Sequence, residues 1–395
     1  MRVLLVQERR TFLGTIQMTE ILKRIAVVIP KYGLVGGAEK VVLELTERIA
    51  FDKRYDLHVF ANKWVSHSDR ITFHKVPVII FPKFLTSISF AYFAGLKISK
   101  MNFDLIHSHD RIFDADIFTM HGIPHRVWVH DIRKKHMSLF DYGTSWVEKS
   151  LANNKRCKRF LSVSNLTKEI FLQEYSVAPE RVEVIHPGVD IENFQKLDRQ
   201  CCRREIREQF GIDPSDIVIL FVSMNFEIKG LDYVMAALGN AKASYPSHNF
   251  KLLVVGKGDY KKYGALAQKA GMKDDIIFAG VQKENLENIY LASDIFMMLS
   301  RFDTFGITAL EAMAASLPVI ISSNVGAKDL VREGINGFVI ENTNNADKIS
   351  DKVGFMLSEE NRIRMAKESY NTALNNSWDA VAKRVENIYE EMLQT

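Results

Sequence analysis

The chain has 395 residues, 47% hydrophobic, 10% aromatic and 25% charged, and its 52 Lys and Arg face 48 Asp and Glu for a net charge of +4. That is the balance of an ordinary globular protein, and it excludes disordered, collagenous and disulfide-rich classes. The length fits two domains, each able to bury a core without disulfide or metal staples. The three cysteines, Cys157, Cys201 and Cys202, have no spacing that builds a zinc site or a disulfide framework, so a reducing, cytoplasmic compartment is expected.

The charge is unevenly placed. Lys and Arg outnumber Asp and Glu by 30 to 22 over residues 1–200 and are outnumbered 26 to 22 after that, and ten of the 11 histidines lie in the first part. A basic, His-rich half suits an anionic substrate or a membrane surface, and equally a solvated basic face without a partner. The excess is modest and no basic-aromatic module accompanies it, which disfavours nucleic acid as a partner.

Residues 1–23 read as an N-terminal extension. They are no signal peptide, because Arg9 and Arg10 interrupt the apolar stretch and no small-residue cleavage site follows. From Arg24 onward, short β-branched runs alternate with amphipathic stretches, the pattern of parallel sheets flanked by helices. A buried strand is expected over 25–29, a glycine-containing loop over 30–37, and a helix over 38–50 with Val41, Val42, Leu45 and Ile49 on one face. Strands follow at 57–61 and 72–76.

The most apolar window, 76–96, is broken by Pro77, Pro82, Lys83 and three hydroxyl residues, so it falls short of the about 20 apolar residues of a membrane span. It reads as a strand followed by a core helix. A second reading is a surface-docking helix, with Phe84, Phe90, Tyr92 and Phe93 beside Lys83, Lys97 and Lys100.

Strands at 105–108, 117–120, 160–163 and 182–185 complete a first Rossmann-like domain, 24–200. The charged stretch 198–216, with Arg203, Arg204, Glu205, Arg207 and Glu208 in a helical run and a Gly211 stop, reads as the linker. A second domain, 201–376, repeats the plan. Its strands are expected at 217–222, 251–255, 276–278, 295–299, 318–321 and 338–340, with helices opening near Leu231, Tyr260, Leu286, Phe305 and Ala327. The last helix, 377–395, is expected to pack back on the first domain. The fold class is α/β: two doubly wound Rossmann-like domains with a cleft between them, at the carboxyl ends of the strands.

The stretch 300–314 carries the most chemistry. A buried strand enters a short loop and then a helix whose first amides are those of Phe305, Gly306, Ile307 and Thr308. Free amides at a helix start form an anion site, and Gly306 lets a phosphate approach the backbone. Glu311 lies about a turn and a half inside that helix, and Asp303 eight positions earlier on the loop. Alone, such a pair is equally a helix-dipole Asp and an ordinary helical Glu.

The whole constellation resembles the acidic E-x7-E pair of retaining glycosyltransferases of the GT-B fold, particularly family 4, written here Asp303-x7-Glu311 and followed by Leu317-Pro318-Val319-Ile320. Gly36-Gly37-Ala38-Glu39, Thr119-Met120-His121-Gly122, Ser162-Val163-Ser164-Asn165, His186-Pro187-Gly188-Val189-Asp190, Lys229-Gly230-Leu231-Asp232 and Glu333-Gly334-Ile335-Asn336-Gly337 fall in family order. The resemblance implies that Glu311 holds the donor's ribose, Asp303 the transferred sugar and Lys229 the diphosphate. His121 would contact the sugar, and Gly36, Gly37 and Asn225 would join the donor site. It implies a metal-independent reaction without a bound cofactor, in which the nucleotide-sugar is a co-substrate.

Two residues depart from the family pattern. Asp303 stands where Glu is usual, one methylene shorter, and Met224 replaces an arginine that would add a phosphate charge. The Asn225-Phe226-x-x-Lys229-Gly230 variant is similar to envelope-sugar transferases. The expected activity is transfer of a hexosyl group from a nucleoside-diphosphate sugar, UDP-linked, to a hydroxyl of a cell-envelope glycoconjugate such as lipopolysaccharide core or a glycolipid. A sugar-nucleotide epimerase and a non-catalytic nucleotide-sugar-binding protein are the alternatives.

The first domain is expected to bind the acceptor. His107, His109, Arg133, Lys134 and Lys135 are its candidate contacts, and the basic clusters 133–136 and 155–159 its candidate contacts with an anionic membrane at the inner face of the cytoplasmic membrane. Three further motifs are set aside. Asp114-Ala115-Asp116 spells a metal-binding D-x-D but enters a strand of a metal-free plan. The pair His107 and His109 lacks a third ligand at suitable spacing, leaving both as histidines of the cleft edge. Val255-Gly256-Lys257-Gly258 lacks the third glycine of a dinucleotide fingerprint.

Overall fold

The computed structural model describes residues 22–34, 36–282 and 284–394; the expected extension at 1–23 lies almost wholly outside them. The strands of the first domain are β1 (Lys23–Val28), β2 (Lys31–Tyr32), β3 (Tyr55–Ala61), β4 (Lys63–Trp64), β5 (Ile71–Lys75), β6 (Leu105–Ser108), β7 (Ile117–Met120), β8 (Arg159–Ser162) and β9 (Val182–Val184). Those of the second are β10 (Ile217–Ser223), β11 (Phe250–Gly256), β12 (Ile276–Gly280), β13 (Ile295–Met298), β14 (Val319–Ser322) and β15 (Gly337–Ile340).

The first sheet has the order β5-β3-β1-β6-β7-β8-β9 and the second β12-β11-β10-β13-β14-β15, with parallel pairing throughout. Continuous β-branched runs give this arrangement: all seven residues of β10 are buried, as strands covered on both faces require. Helices cover each sheet on both sides. The helix Gly37–Phe51 buries Val41, Val42, Leu45 and Ile49, the face its spacing predicts.

Each sheet reverses its strand order once, between β1 and β6 in the first and between β10 and β13 in the second. Ligands of doubly wound sheets bind outside the carboxyl ends of the strands at these reversals. Gly37 follows β1, His121 follows β7, Lys229 follows β10 and Asp303 follows β13. The fold therefore brings residues more than 250 positions apart to one crevice.

The 198–216 stretch is not a linker. It is the helix Arg199–Gln209 of the second domain, with Arg207 only 3% exposed. The Arg207 guanidinium donates to the carbonyls of Asp213, Pro214, Asp216 and Ala292 and pairs with Asp294 at 2.8 Å, so its charge is matched inside the fold. The chain crosses between domains at His186-Pro187-Gly188 instead, and returns at Asn376-Ser377. The two crossings are tied: Val189 N–H donates to Asn376 O at 3.0 Å and Trp378 N–H to Val189 O at 3.2 Å.

The helix Trp378–Gln394 then packs Trp378, Val381, Val385, Ile388 and Tyr389 into the core of the first domain. Two other expectations shift. The helix near Phe305 opens at Ile307, and the one near Ala327 is a single 3-10 turn, Gly326–Leu330. The 76–96 window contains the helix Leu85–Ile98, which buries Phe90, Ala91 and Ala94 as a core helix does, while Tyr92 and Leu96 face solvent; the strand before it ends at Lys75.

Candidate active site

A cavity of about 320 Å³ lies between the domains. Gly37, Ala38 and His121 form its wall in the first domain; Lys229, Asp303 and the start of the helix Ile307–Ala314 form the opposite one. Gly306 caps that helix at φ +88°, a backbone conformation that suits glycine, and a Cβ there would lie 2.7 Å from Val325. The amides of Gly306, Ile307 and Thr308 thus begin a helix with no preceding turn to supply acceptors. The Phe305 amide, expected among them, is taken by Asp303 Oδ1 at 3.3 Å.

Lys229 forms an ion pair with Asp303 Oδ2, both largely shielded from solvent. Lys229 is carried by the turn 225–229, whose Asn225 side-chain oxygen accepts from Ile228 N–H at 3.0 Å and whose carbonyl accepts from Lys229 N–H at 3.1 Å. Asn225, expected as a donor ligand, is therefore a turn former outside the cavity lining, and Met224 takes the lining position. Gly36 is likewise outside it: the residue caps the first helix and lies against the Glu39 carboxylate, which a Cβ would approach to 2.0 Å.

Glu311 is one turn further along its helix and does not line the cavity. Its carboxylate takes Lys40 Nζ at 3.3 Å from the first domain and Tyr290 OH at 3.1 Å. Burial works against the Lys40 charge, but the Glu311 carboxylate beside it prevails and raises the pKa of the ammonium. Burial, reinforced by Glu311, holds the Tyr290 phenol well above its usual range. Neither Lys40 nor Tyr290 was legible as a site residue, since Lys40 meets Glu311 across 271 positions of sequence. The domains also touch beside the cavity, where Ser164 Oγ donates to Thr304 O at 2.7 Å and Thr304 Oγ1 to His121 O at 3.2 Å.

The two other candidate histidines lie behind His121 and line no part of the cavity. His107 and His109 are 1% and 6% exposed. His109 Nδ1 and His121 Nε2 are hydrogen-bonded at 3.1 Å, and His107 bonds Tyr389 OH at 2.6 Å and Thr119 Oγ1 at 2.7 Å. They sit at a buried strand end, not on a loop at the cleft edge. Burial pushes His121 down to about 4 and, with His121 nearby, His107 down to about 3; burial and both neighbours lower His109 as well.

All three imidazoles are neutral in the folded protein at pH 7, while the unfolded chain takes up protons near 6.5. Folding stability contributed by this trio is therefore full above pH 6.5 and is lost as pH falls toward about 4, by up to roughly 3 kcal/mol for His121. Melting temperature measured against pH should drop through that window, above the range where ordinary carboxylates titrate. A level profile from pH 7 to pH 4.5 would contradict the neutral trio.

Arg133, Lys134 and Lys135 are exposed on the loop before the helix Leu139–Ala152 and line no part of the cavity. In the second basic cluster Arg156 pairs with Asp114 and Asp116 at 3.0 Å each, at the strand ends opposite the cavity, while Lys155 and Lys158 are exposed. The same pairs account for the D-x-D motif. No group of three or more His, Cys, Asp or Glu suited to a metal occurs among the described residues, and none of their helices is long and apolar enough to cross a membrane.

Two parallel-sheet Rossmann-like domains, with the glycine-capped helix start of one facing the glycine loop of the other, form the GT-B fold. Residues 35–193 match Glycosyltransferase Family 4 and residues 202–372 match Glycosyl transferases group 1, so the chain carries the paired domains of that glycosyltransferase family. It is 26% identical over 374 residues to an uncharacterized glycosyltransferase of Methanocaldococcus jannaschii, covering 90% of this chain and 92% of the relative. WaaG, a glycosyltransferase involved in lipopolysaccharide biosynthesis, superposes with a TM-score of 0.72 at 18% identity over 92% of this chain and 99% of its own. HepE of Anabaena, solved with UDP and glucose, superposes with a TM-score of 0.68 at 17% identity over 93% and 99%.

Proposed function

We propose that the protein transfers a hexosyl group from a UDP-sugar to a hydroxyl of a cell-envelope glycoconjugate, lipopolysaccharide core or a glycolipid, with retention of anomeric configuration. The observation that carries this reading is the convergence of Lys229 and the Gly306 to Thr308 amides on one cavity. A departing diphosphate needs charge stabilisation, and a cation with preorganised amides supplies it without a metal. The UDP bound by HepE, on the same fold, supports a nucleoside-diphosphate donor, and WaaG's part in lipopolysaccharide biosynthesis supports an envelope acceptor.

In this reading the diphosphate takes the place that Asp303 now holds beside Lys229, and the ribose hydroxyls replace Lys40 on Glu311. Asp303, released, faces the transferred sugar together with neutral His121. The acceptor oxygen attacks the anomeric carbon from the side on which the C–O bond to the diphosphate breaks, and its proton passes to the departing diphosphate. Retention follows from that geometry. Asp303 is the one carboxylate among the described lining residues, and in this reading it contacts the sugar without forming a bond to it. Because the donor is a cytoplasmic metabolite, the reaction belongs on that side of the membrane.

A thermal-shift panel of UDP-, GDP- and ADP-sugars tests the donor. The UDP-sugar at 100 times its dissociation constant should add about 2.7 kcal/mol of stability, followed by product formation only when an acceptor is present. Stabilisation by none of them would sink the reading, and epimerised donor without acceptor would replace it with sugar-nucleotide isomerisation.

A further inference from the structure

Nine exposed large apolar side chains fall within residues 79–146, on two neighbouring helices of the first domain and the loop leading into one of them. The loop carries Ile79, Ile80 and Phe81, of which Ile80 and Phe81 are 78% and 86% exposed. On the helix Leu85–Ile98, Phe84, Tyr92 and Leu96 fall at four- and eight-residue spacings and make one outward stripe. On the helix Leu139–Ala152, Leu139, Tyr142 and Trp146 make a second, and Leu139 is 72% exposed. The two helices are in contact: Ser87 Oγ and Thr144 Oγ1 lie 2.9 Å apart, and Lys83 Nζ sits 5.2 Å over the Phe140 ring. The two stripes therefore lie side by side on neighbouring helices, and such a cluster of exposed apolar side chains marks an interaction surface.

Its rim is basic. Residues 77–100 contain Lys83, Lys97 and Lys100 and no acid, and Arg133, Lys134 and Lys135 stand exposed just before Leu139. The acids of the second helix are turned inward: Asp141 is held by Ser138 and His125, and Glu148 by Arg111 and the His125 amide. Both helices begin at the carboxyl ends of the sheet strands, so the Ile79 to Phe81 loop and Leu139 lie on the side of the domain where the cavity opens.

We infer that this face seats the protein on an anionic bilayer, with Ile80, Phe81, Leu139, Tyr142 and Trp146 entering the headgroup region and the Lys and Arg rim meeting lipid phosphates. Apolar anchors ringed by Lys and Arg are the chemistry of an interfacial surface. A second copy is a poorer occupant, since a twofold contact through this face would press one basic rim against another. The inference deepens the acceptor half of the proposed function: a glycolipid hydroxyl would reach the cavity along the edge that touches the membrane.

Co-sedimentation of the full chain with vesicles tests it, using phosphatidylcholine alone and phosphatidylcholine with about 30% phosphatidylglycerol. Binding should require the anionic lipid and weaken with salt. Phe81→Ser with Leu139→Ser should lower partitioning about ten-fold or more, and Arg133→Gln, Lys134→Gln and Lys135→Gln together should do so by a similar factor at low salt. These positions are exposed, and an unchanged melting temperature confirms folded variants.

Absence of binding by the unaltered protein, or equal binding by the Ser variants, overturns the inference. So does a dimer that the Ser variants dissolve while vesicle binding is unaffected. Stabilisation by the UDP-sugar is read in parallel on the same variants and should be unchanged. Its failure in the unaltered protein refutes the donor reading without touching the vesicle result.

Discussion

Lys229→Ala should lower kcat by about 10² to 10³ while leaving the protein folded, as expected when one preorganised charge donor at a leaving group is removed. The cavity gives no substitute. Lys229 is the one lysine or arginine among its described lining residues, His121 is neutral, and Met224 occupies the nearby lining position. Loss of the ammonium also leaves the Asp303 carboxylate unopposed beside the diphosphate, a repulsion that weakens donor binding as well as turnover.

Asp303→Asn in the Lys229→Ala background should therefore recover donor binding, read as thermal stabilisation, without restoring turnover. Lys229→Arg should retain part of the rate, limited by the fit of a planar fork where a compact ammonium sat. Near-normal turnover in Lys229→Ala would show that the amides of Gly306 to Thr308 suffice, and would remove Lys229 from the proposed chemistry.

The strands and the order of elements were legible because parallel strands covered on both faces must be nearly continuous apolar runs, as 217–222 and 295–299 are. Asp303, Lys229, Gly306 and His121 were legible as a set because motif order along the chain fixes which strand end each follows. What escaped was settled by tertiary contact. The charges of 198–216 suggested solvent, yet Arg207 turns inward because five acceptors, including Asp294, surround it. His107 and His109 suggested a cleft edge, yet the strand ends bury His107 against Thr119 and Tyr389, the latter from a helix 282 positions away, and His109 against His107 and His121. The helix start moved from Phe305 to Ile307 because Asp303 takes the Phe305 amide and Gly306 alone accepts the required φ. Lys40 and Tyr290 show no pattern in sequence, because Glu311 is all that joins them.

Trp378→Ala should cost about 3 to 5 kcal/mol of stability, the range for emptying a large buried aromatic site. Trp378 is 1% exposed and stands where the chain has just crossed back to the first domain. Its ring fits against Gly188, where a Cβ would come within 2.6 Å, so the two interdomain crossings are packed on each other through this side chain. The vacancy would also loosen the docking of Val381, Val385 and Tyr389 behind it.

The indole Nε1 has no hydrogen-bond partner among the described residues. An unpaired buried N–H carries a desolvation penalty of about 1 to 3 kcal/mol, and Trp378→Phe removes it together with part of the ring. Those terms oppose, so the Phe variant should lie within about 1.5 kcal/mol of the unaltered protein while the Ala variant falls far below it. Urea unfolding followed by far-ultraviolet circular dichroism separates the two. Equal losses in both variants would show that the N–H contributes a bond, through water, that the protein's own groups do not make.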